Sequence, residues 1–115
     1  MGFDMELVPM STTTDRNDPR LRKIDGTGQQ SAYLVLSDEE RSKGFVRPVR
    51  TSYTHVVCEC STRMATAIAE TYARDPKFYG GTYCAVCQMH FPLRTVDGPQ
   101  FRWDEPVEGS EFVGE

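Results

Sequence analysis

Four cysteines lie in two short groups along this chain, Cys58 with Cys60 and Cys84 with Cys87. Structural zinc is held tetrahedrally by four ligands, most often thiolates and imidazoles. A C-x-x-C turn can place two sulfurs on one side of a tight loop, so the other half of such a site must come from a distant segment. The two groups therefore predict one structural zinc ion that joins them.

Three residues compete to complete the site beside Cys58, Cys84 and Cys87. Cys60 gives an all-thiolate site, although C-x-C on a strand points its two side chains to opposite faces. His90 extends the second pair to C-x-x-C-x-x-H if the chain makes a helical turn there. His55 gives H-x-x-C facing C-x-x-C, but we interpret it as an ordinary surface or core histidine. The predicted fourth ligand is thus either His90 or Cys60.

Other chemistry for the cysteines has less support in the sequence. A thioredoxin-like dithiol belongs at the start of a helix in a βαβ context, which is not predicted around Cys84. We find no H-E-x-x-H, H-x-E, phosphate-binding glycine loop or Ser/His/Asp arrangement. At least three thiolates would also leave the metal a weak Lewis acid. We therefore predict a protein that is not an enzyme, with no catalytic residues and no small-molecule substrate.

The segments around the cysteines predict an α+β fold, a small zinc-stabilised domain with one main helix on a short antiparallel sheet. The main helix is expected in STRMATAIAETYARDP, capped by Ser61 or Thr62 and ended before Asp75-Pro76. Met64, Ile68 and Tyr72 stand four apart, which is typical of a buried helix face. This helix separates the two cysteine groups, so a metal would clamp its ends together.

Strands are expected on either side of that helix. Residues 31–36 (SAYLVL) and 45–57 read as extended, and Pro48 limits the second run to an edge or an irregular path. Between them, Ser37 and Glu40 have the spacing of a capping box for a single helical turn. Residues 93–103 predict a β-hairpin around Asp97-Gly98.

At 115 residues with a net charge of −4, the chain is expected to form one domain with two extensions. Residues 1–30 are polar and predict an extended N-terminal arm, residues 31–103 the core, and residues 104–115 an acidic C-terminal tail. Phe3, Leu7 and Phe112 are the apolar residues expected to anchor these extensions on a partner protein.

The charge pattern bears on possible partners. The negative net charge disfavours a general nucleic-acid binder. A basic strip in RSKGFVRPVR keeps open the alternative of a regulatory module that binds nucleic acid or a host protein, through Arg47 and Arg50 among others. No apolar run approaches the roughly twenty residues of a membrane span, so no membrane is expected.

Three stretches, GFVRPVR, a cysteine near residue 58 and AIAETYARDPKFYGGTYCAVCQMHFPL, resemble a family of small Cys-rich proteins encoded by tailed bacteriophages. The resemblance covers roughly residues 31–103 and is most specific in ETYARDPKFYG. It implies a bacteriophage origin and a small zinc-binding fold, but no activity. Members read Cys-Gly-Thr where this chain reads Cys58-Glu59-Cys60, whereas His90 matches their Cys-x-x-Cys-x-x-His-x-Pro pattern.

Together these features predict a minor structural or docking component of a phage virion assembly. Its partners would be phage structural proteins or another protein. It would reside in the host bacterial cytoplasm during infection, or in the virion, and carry a structural Zn²⁺.

Overall fold

The structure, a computed structural model, describes residues 10–115. Phe3 and Leu7, two of the predicted partner anchors, lie outside this range. The helices are α1 (Asp38–Arg41) and α2 (Thr66–Arg74), preceded by a 3-10 turn at Pro19–Arg22. The strands are β1 (Thr12–Thr13), β2 (Tyr33–Leu34), β3 (Ser52–His55), β4 (Cys60–Arg63), β5 (Gly81–Cys84), β6 (Met89–Pro92), β7 (Arg94–Thr95), β8 (Gly98–Pro99), β9 (Phe101–Val107) and β10 (Ser110–Phe112).

The largest sheet has four antiparallel strands in the order β10-β9-β3-β4. Its register sets Tyr53 opposite Trp103 and His55 opposite Phe101. Because side chains alternate across a strand, these four lie together on the inner face, and all are buried. Two further antiparallel pairs, β5-β6 and β7-β8, and one parallel pair, β1-β2, complete the predicted α+β fold.

The main helix packs its apolar stripe against this inner face, as the sequence predicts. Ile68 and Tyr72 on α2 are 5% and 3% exposed, and Met64, two residues before the helix, is 3% exposed. The Tyr72 ring meets Trp103 edge-on, with 5.8 Å between ring centroids. The helix begins at Thr66 rather than near residue 62, because residues 60–63 extend the sheet as β4. No helix within residues 10–115 is long and apolar enough to cross a membrane.

The shorter elements match the sequence in part. The Ser37 side chain accepts a hydrogen bond from the Glu40 amide at 3.1 Å and caps α1, which confirms the predicted single turn. Only the second half of residues 45–57 becomes a strand, in keeping with the constraint that Pro48 imposes. The hairpin around Gly98 closes as β7-β8, but β9 then leaves it to pair with β3.

The described part of the predicted N-terminal arm is instead folded onto the domain. β1 pairs with β2, and Gln29 is only 4% exposed. Gly28 lies so close to Gln88 that a Cβ added there would sit 1.8 Å from the Gln88 carbonyl oxygen. The segment has few apolar residues, but local hydrogen bonds hold its backbone. For example, the Asp25 carboxylate accepts from the Thr27 amide at 2.8 Å.

The predicted acidic tail also belongs to the sheet. β9 runs to Val107, turns through Gly109 at a φ of 80°, and returns as β10. Val113 is 2% exposed and packs in the hydrophobic core, whereas Glu105, Glu108 and Glu111 are exposed. The acidic composition of this segment therefore describes its outer face, and a few inward residues fix it in place.

Candidate metal centre

Two hairpins of the same construction face each other in the fold. The first is β3-turn-β4 and the second is β5-turn-β6, each with a four-residue turn. In the first, the Glu59 amide donates to the His55 carbonyl at 2.7 Å; in the second, the Gln88 amide donates to the Cys84 carbonyl at 2.8 Å. Glu59 and Gln88 both have a positive φ, 57° and 56°. Each hairpin thus presents two side chains that are three positions apart, His55 with Cys58 and Cys84 with Cys87. In both hairpins the last residue of the turn has a positive φ.

Those side chains converge on one point between the hairpins. His55, Cys58, Cys84 and Cys87 each offer one ligand atom, and these atoms all lie within 4.8 Å of one another. The Sγ atoms of Cys58 and Cys84 are 3.6 Å apart, and Cys87 Sγ is 3.7 Å from His55 Nδ1. Zinc bonds of about 2.3 Å to sulfur and about 2.0 Å to nitrogen imply tetrahedral edges of roughly 3.5–3.8 Å. The donor set and these two edges fit a zinc ion.

Cys60 and His90, the predicted candidates for the fourth position, lie outside this cluster, which contains His55 instead. Cys60 begins β4, and its thiol donates to the Cys58 carbonyl at 3.4 Å. His90 lies on β6 rather than on a helical turn, and its Nε2 is 2.9 Å from the Tyr33 hydroxyl. The sequence feature that pointed to His55 was the equal spacing of H-x-x-C and C-x-x-C. This feature was a better guide than the general tendency of a lone histidine to be an ordinary surface or core residue.

His55 is held in the orientation that a metal ligand needs. The residue is 1% exposed, and its Nε2 lies 3.2 Å from the Gln100 side-chain oxygen. Since an amide oxygen can only accept, Nε2 carries the proton and Nδ1 presents its lone pair toward Cys87. The ring packs between Phe91 and Phe101, with centroids 4.3 Å and 4.9 Å away. A hydrogen-bond partner behind the ligating ring is the usual second shell of a zinc histidine.

The thiols crowd one another in a way that a cation would relieve. Burial, together with the Cys84 and Cys58 thiols beside it, raises the pKa of Cys87 to about 12. For Cys58, burial acts to raise the pKa, but hydrogen bonds from the Cys60 amide and the Cys84 thiol outweigh it, and the pKa is lowered. The Cys58 thiol therefore loses its proton more readily than the Cys87 thiol, and a divalent cation would favour the thiolate form of both.

The two hairpins also contact each other beyond the cluster. The Thr62 hydroxyl, on a residue that is 1% exposed, accepts a hydrogen bond from the Ala85 amide at 3.1 Å. The Tyr53 hydroxyl donates to the Tyr83 carbonyl. These two hydrogen bonds join the hairpins directly and help to bring the four side chains together.

The first half of the basic strip is neutralised by acids. Arg41 forms ion pairs with Asp38 and Glu70. Lys43 lies 2.9 Å from a carboxylate oxygen of Glu40. These charges serve the α1–α2 contact and leave little free positive charge for a phosphate backbone.

The second half of the strip is used by the C-terminal segment. Arg47 Nε donates to the Glu115 carbonyl at 3.2 Å. Arg50, predicted to bind a partner, is 5% exposed and donates to the Ser110 carbonyl at 2.7 Å, so it serves the core instead. Phe112, the remaining predicted anchor, is half-buried at the end of β10.

Comparison with known proteins identifies no relative. No family model, no curated protein and no solved structure matches the chain.

Proposed function

We propose that this protein is a non-catalytic, zinc-stabilised bacteriophage domain that acts as a minor structural or docking component and binds another protein. The observation that carries the proposal is the cluster of His55, Cys58, Cys84 and Cys87 between two matched hairpins. The bacteriophage setting comes from the sequence resemblance alone. The metal, the docking surface and the partner are separate steps, each with its own support.

The donor set favours a structural zinc. Three thiolates and one imidazole form a complete tetrahedral set, so protein atoms fill every position and none is left for substrate or water. The hydrogen bond from His55 to Gln100 also favours a structural ion, since an amide orients the ring but offers no base to a reacting molecule. An ion held in this way stabilises a small core and performs no chemistry.

The loop at residues 45–49 offers the docking surface, and we call it the 45–49 loop. Phe45, Val46 and Val49 are 44%, 56% and 39% exposed. The loop is nevertheless fixed to α2, because the Val46 and Arg47 amides donate to the Ala73 carbonyl at 2.8 and 3.1 Å. A rigid loop loses little conformational entropy when it binds, which favours a specific contact.

The charges around the 45–49 loop favour a protein partner over nucleic acid. Arg41 and Lys43 are paired with acids, and Arg50 is buried. Apolar side chains amid neutralised charge match the core of a protein–protein interface. A phosphate backbone would instead require free cations along the contact.

Purified phage particles test this proposal. The variant F45S/V46S/V49S should bind zinc and fold as the unchanged protein does, yet be absent from finished particles. V96S is the matched control, because Val96 is a fully exposed valine on a different turn. Normal incorporation of the triple variant would contradict docking through the 45–49 loop. Recovery of the unchanged protein only from infected-cell extract would contradict a virion role.

A further inference from the structure

A cleft lies between the N-terminal segment, the turn after α2, and β6. Its volume is about 490 Å³, within the range of small-molecule sites. The side chains that matter for its chemistry are Arg16, Gln30, Tyr33, Lys77, Tyr79 and His90. We call it the His90 cleft.

The His90 cleft is positively charged within an acidic protein. Arg16 and Lys77 are both exposed, and neither has a carboxylate partner within residues 10–115. Asp75 is the one acid among the lining residues. Two cations left free around one concavity are the arrangement that an anionic ligand requires.

His90 adds a hydrogen-bonding ring, held in place by Tyr33, to these cations. Tyr33 is 8% exposed, and its hydroxyl accepts from the Gln30 amide at 3.3 Å while lying 2.9 Å from His90 Nε2. In the tautomer where the hydroxyl donates its proton to Nε2, the ring proton lies on Nδ1, and this tautomer gives His90 a donor. Burial lowers the pKa of His90 and raises the pKa of Tyr33 to about 12, so both side chains keep these protons near neutral pH.

An aromatic wall completes the His90 cleft. The Tyr79 hydroxyl donates to the Leu34 carbonyl at 2.6 Å, which fixes the ring in place. Phe78 packs edge-on against it, with centroids 4.8 Å apart. A fixed aromatic ring beside cations suits a ligand with a flat ring and a negative group, since stacking requires only a π-face.

We propose that the His90 cleft binds a phosphate monoester carried on a flat heterocycle, the chemistry of a mononucleotide. Arg16 and Lys77 would contact the phosphate, His90 would donate through Nδ1, and Tyr79 would stack on the ring. The ligand is a free nucleotide or the 5′-phosphorylated end of a strand, since both present the same groups. This site goes beyond the proposed docking role and is separate from the metal cluster, which does not include His90.

Calorimetric titration of the zinc-loaded protein with adenosine monophosphate tests the site. Saturable binding is expected, and adenosine and inorganic phosphate should each bind at least about tenfold more weakly, because each lacks one half of the recognition. Equal affinity for inorganic phosphate and the nucleotide would overturn the role of the ring. Absence of saturable nucleotide binding would overturn the proposal.

Matched charge variants identify the residues. R16Q and K77Q should each weaken nucleotide binding by about tenfold, the cost of one charge-assisted contact. R63Q removes an exposed arginine from β4, outside the cleft, and should leave the affinity unchanged. Equal effects of all three variants would show non-specific attraction and contradict the site.

A first further measurement distinguishes a free nucleotide from a strand end as the ligand. A second one distinguishes failure of this proposal from failure of the docking proposal. A short single strand with a 5′ phosphate that binds more tightly than the nucleotide would identify a strand end as the ligand. Weaker binding of that strand identifies the free nucleotide. Zinc content should be unchanged in R16Q and K77Q, so their failure to bind nucleotide leaves the docking proposal untouched.

Discussion

His55 Nδ1 lies 3.7 Å from Cys87 Sγ, across the junction between two hairpins that repeat one construction. The two residues are far apart in sequence, and each is a candidate ligand on its own hairpin. Because the ring is fixed from behind by Gln100, this distance is set by the fold. Two pairs of variants can therefore test which residue is the fourth ligand.

The histidines form the first matched pair. H55A should lose zinc, whereas H90A should keep about one zinc per chain, the stoichiometry of a single tetrahedral site. Elemental analysis of protein purified without added metal measures both. Zinc lost from H90A and kept in H55A would return the fourth position to His90.

The cysteines form the second pair. C58A should bind zinc poorly and unfold, because metal binding and folding are coupled in small domains, whereas C60A should remain folded with its metal. Cys60 lies beside the cluster but points its thiol at the Cys58 carbonyl. Circular dichroism with and without a chelator distinguishes the variants. Correctly folded C58A without metal would remove the structural role of the ion.

Gln100 should tune metal affinity without touching the metal. Loss of an outer-shell hydrogen bond typically lowers metal affinity by about 10–100-fold, so Q100A should release zinc to a weaker chelator than the unchanged protein does. T95V is the milder comparison, since the Thr95 hydroxyl accepts from the Gln100 amide and the Asp97 amide, each at 3.2 Å, and does not contact His55. Identical chelator curves for Q100A and the unchanged protein would show that His55 needs no such support.

Arg50 should stabilise the sheet through its fork of donors. Its guanidinium carbon lies 4.6 Å from the Trp103 ring centroid, and its nitrogens donate to the Ser110 carbonyl and hydroxyl. Lysine keeps the charge but cannot reproduce that geometry, so R50K should cost about 1–3 kcal/mol of unfolding free energy. R47K, at a more exposed site, should cost less than about 0.5 kcal/mol. Urea denaturation with zinc present compares the two.

The buried state of His90 predicts a pH effect on stability. Burial lowers its pKa, so the folded protein binds fewer protons there than the unfolded chain. Its contribution is fully present above the unfolded pKa of about 6.5 and is lost as the pH falls from there toward the lower folded pKa. H90Q removes this group, so its melting temperature should fall less than that of the unchanged protein between pH 7.5 and pH 5.5. Parallel curves would show that His90 does not titrate on unfolding.

The parts of the fold that follow from local periodicity were predictable. Met64, Ile68 and Tyr72 formed a regular stripe, and they line the core. The place of His55 in the cluster was weighed and set aside, because a single histidine carries little signal beside cysteine pairs and the equal spacing of the two hairpins was given too little weight. The left-handed turns at Glu59 and Gln88, which make the two spacings equivalent, involve residue types that do not mark such turns.

The terminal segments show a second reason for the differences. Their composition suggested extensions that do not pack on the core, yet a few individual residues hold them against it. Val113 and Arg50 tie the acidic C-terminal segment to the sheet, and Gly28 admits the N-terminal segment against the second hairpin. One inward side chain among a dozen polar residues changes the average hydropathy of a segment very little. That side chain can still hold the segment in place when another part of the fold provides a site for it to pack.

An ion in the cluster would also close a ring in the chain. Cys58 and Cys84 are 26 positions apart, and the whole of α2 lies between them. With nine residues, α2 is shorter than the roughly 12–15 that an isolated helix needs to persist in water. Cross-linking a loop of this length removes about 3–4 kcal/mol of freedom from the unfolded chain, if a metal bridge acts as a disulfide does. The helix would then lie within a closed loop of the chain, and its circular dichroism signal would report whether the metal site is occupied.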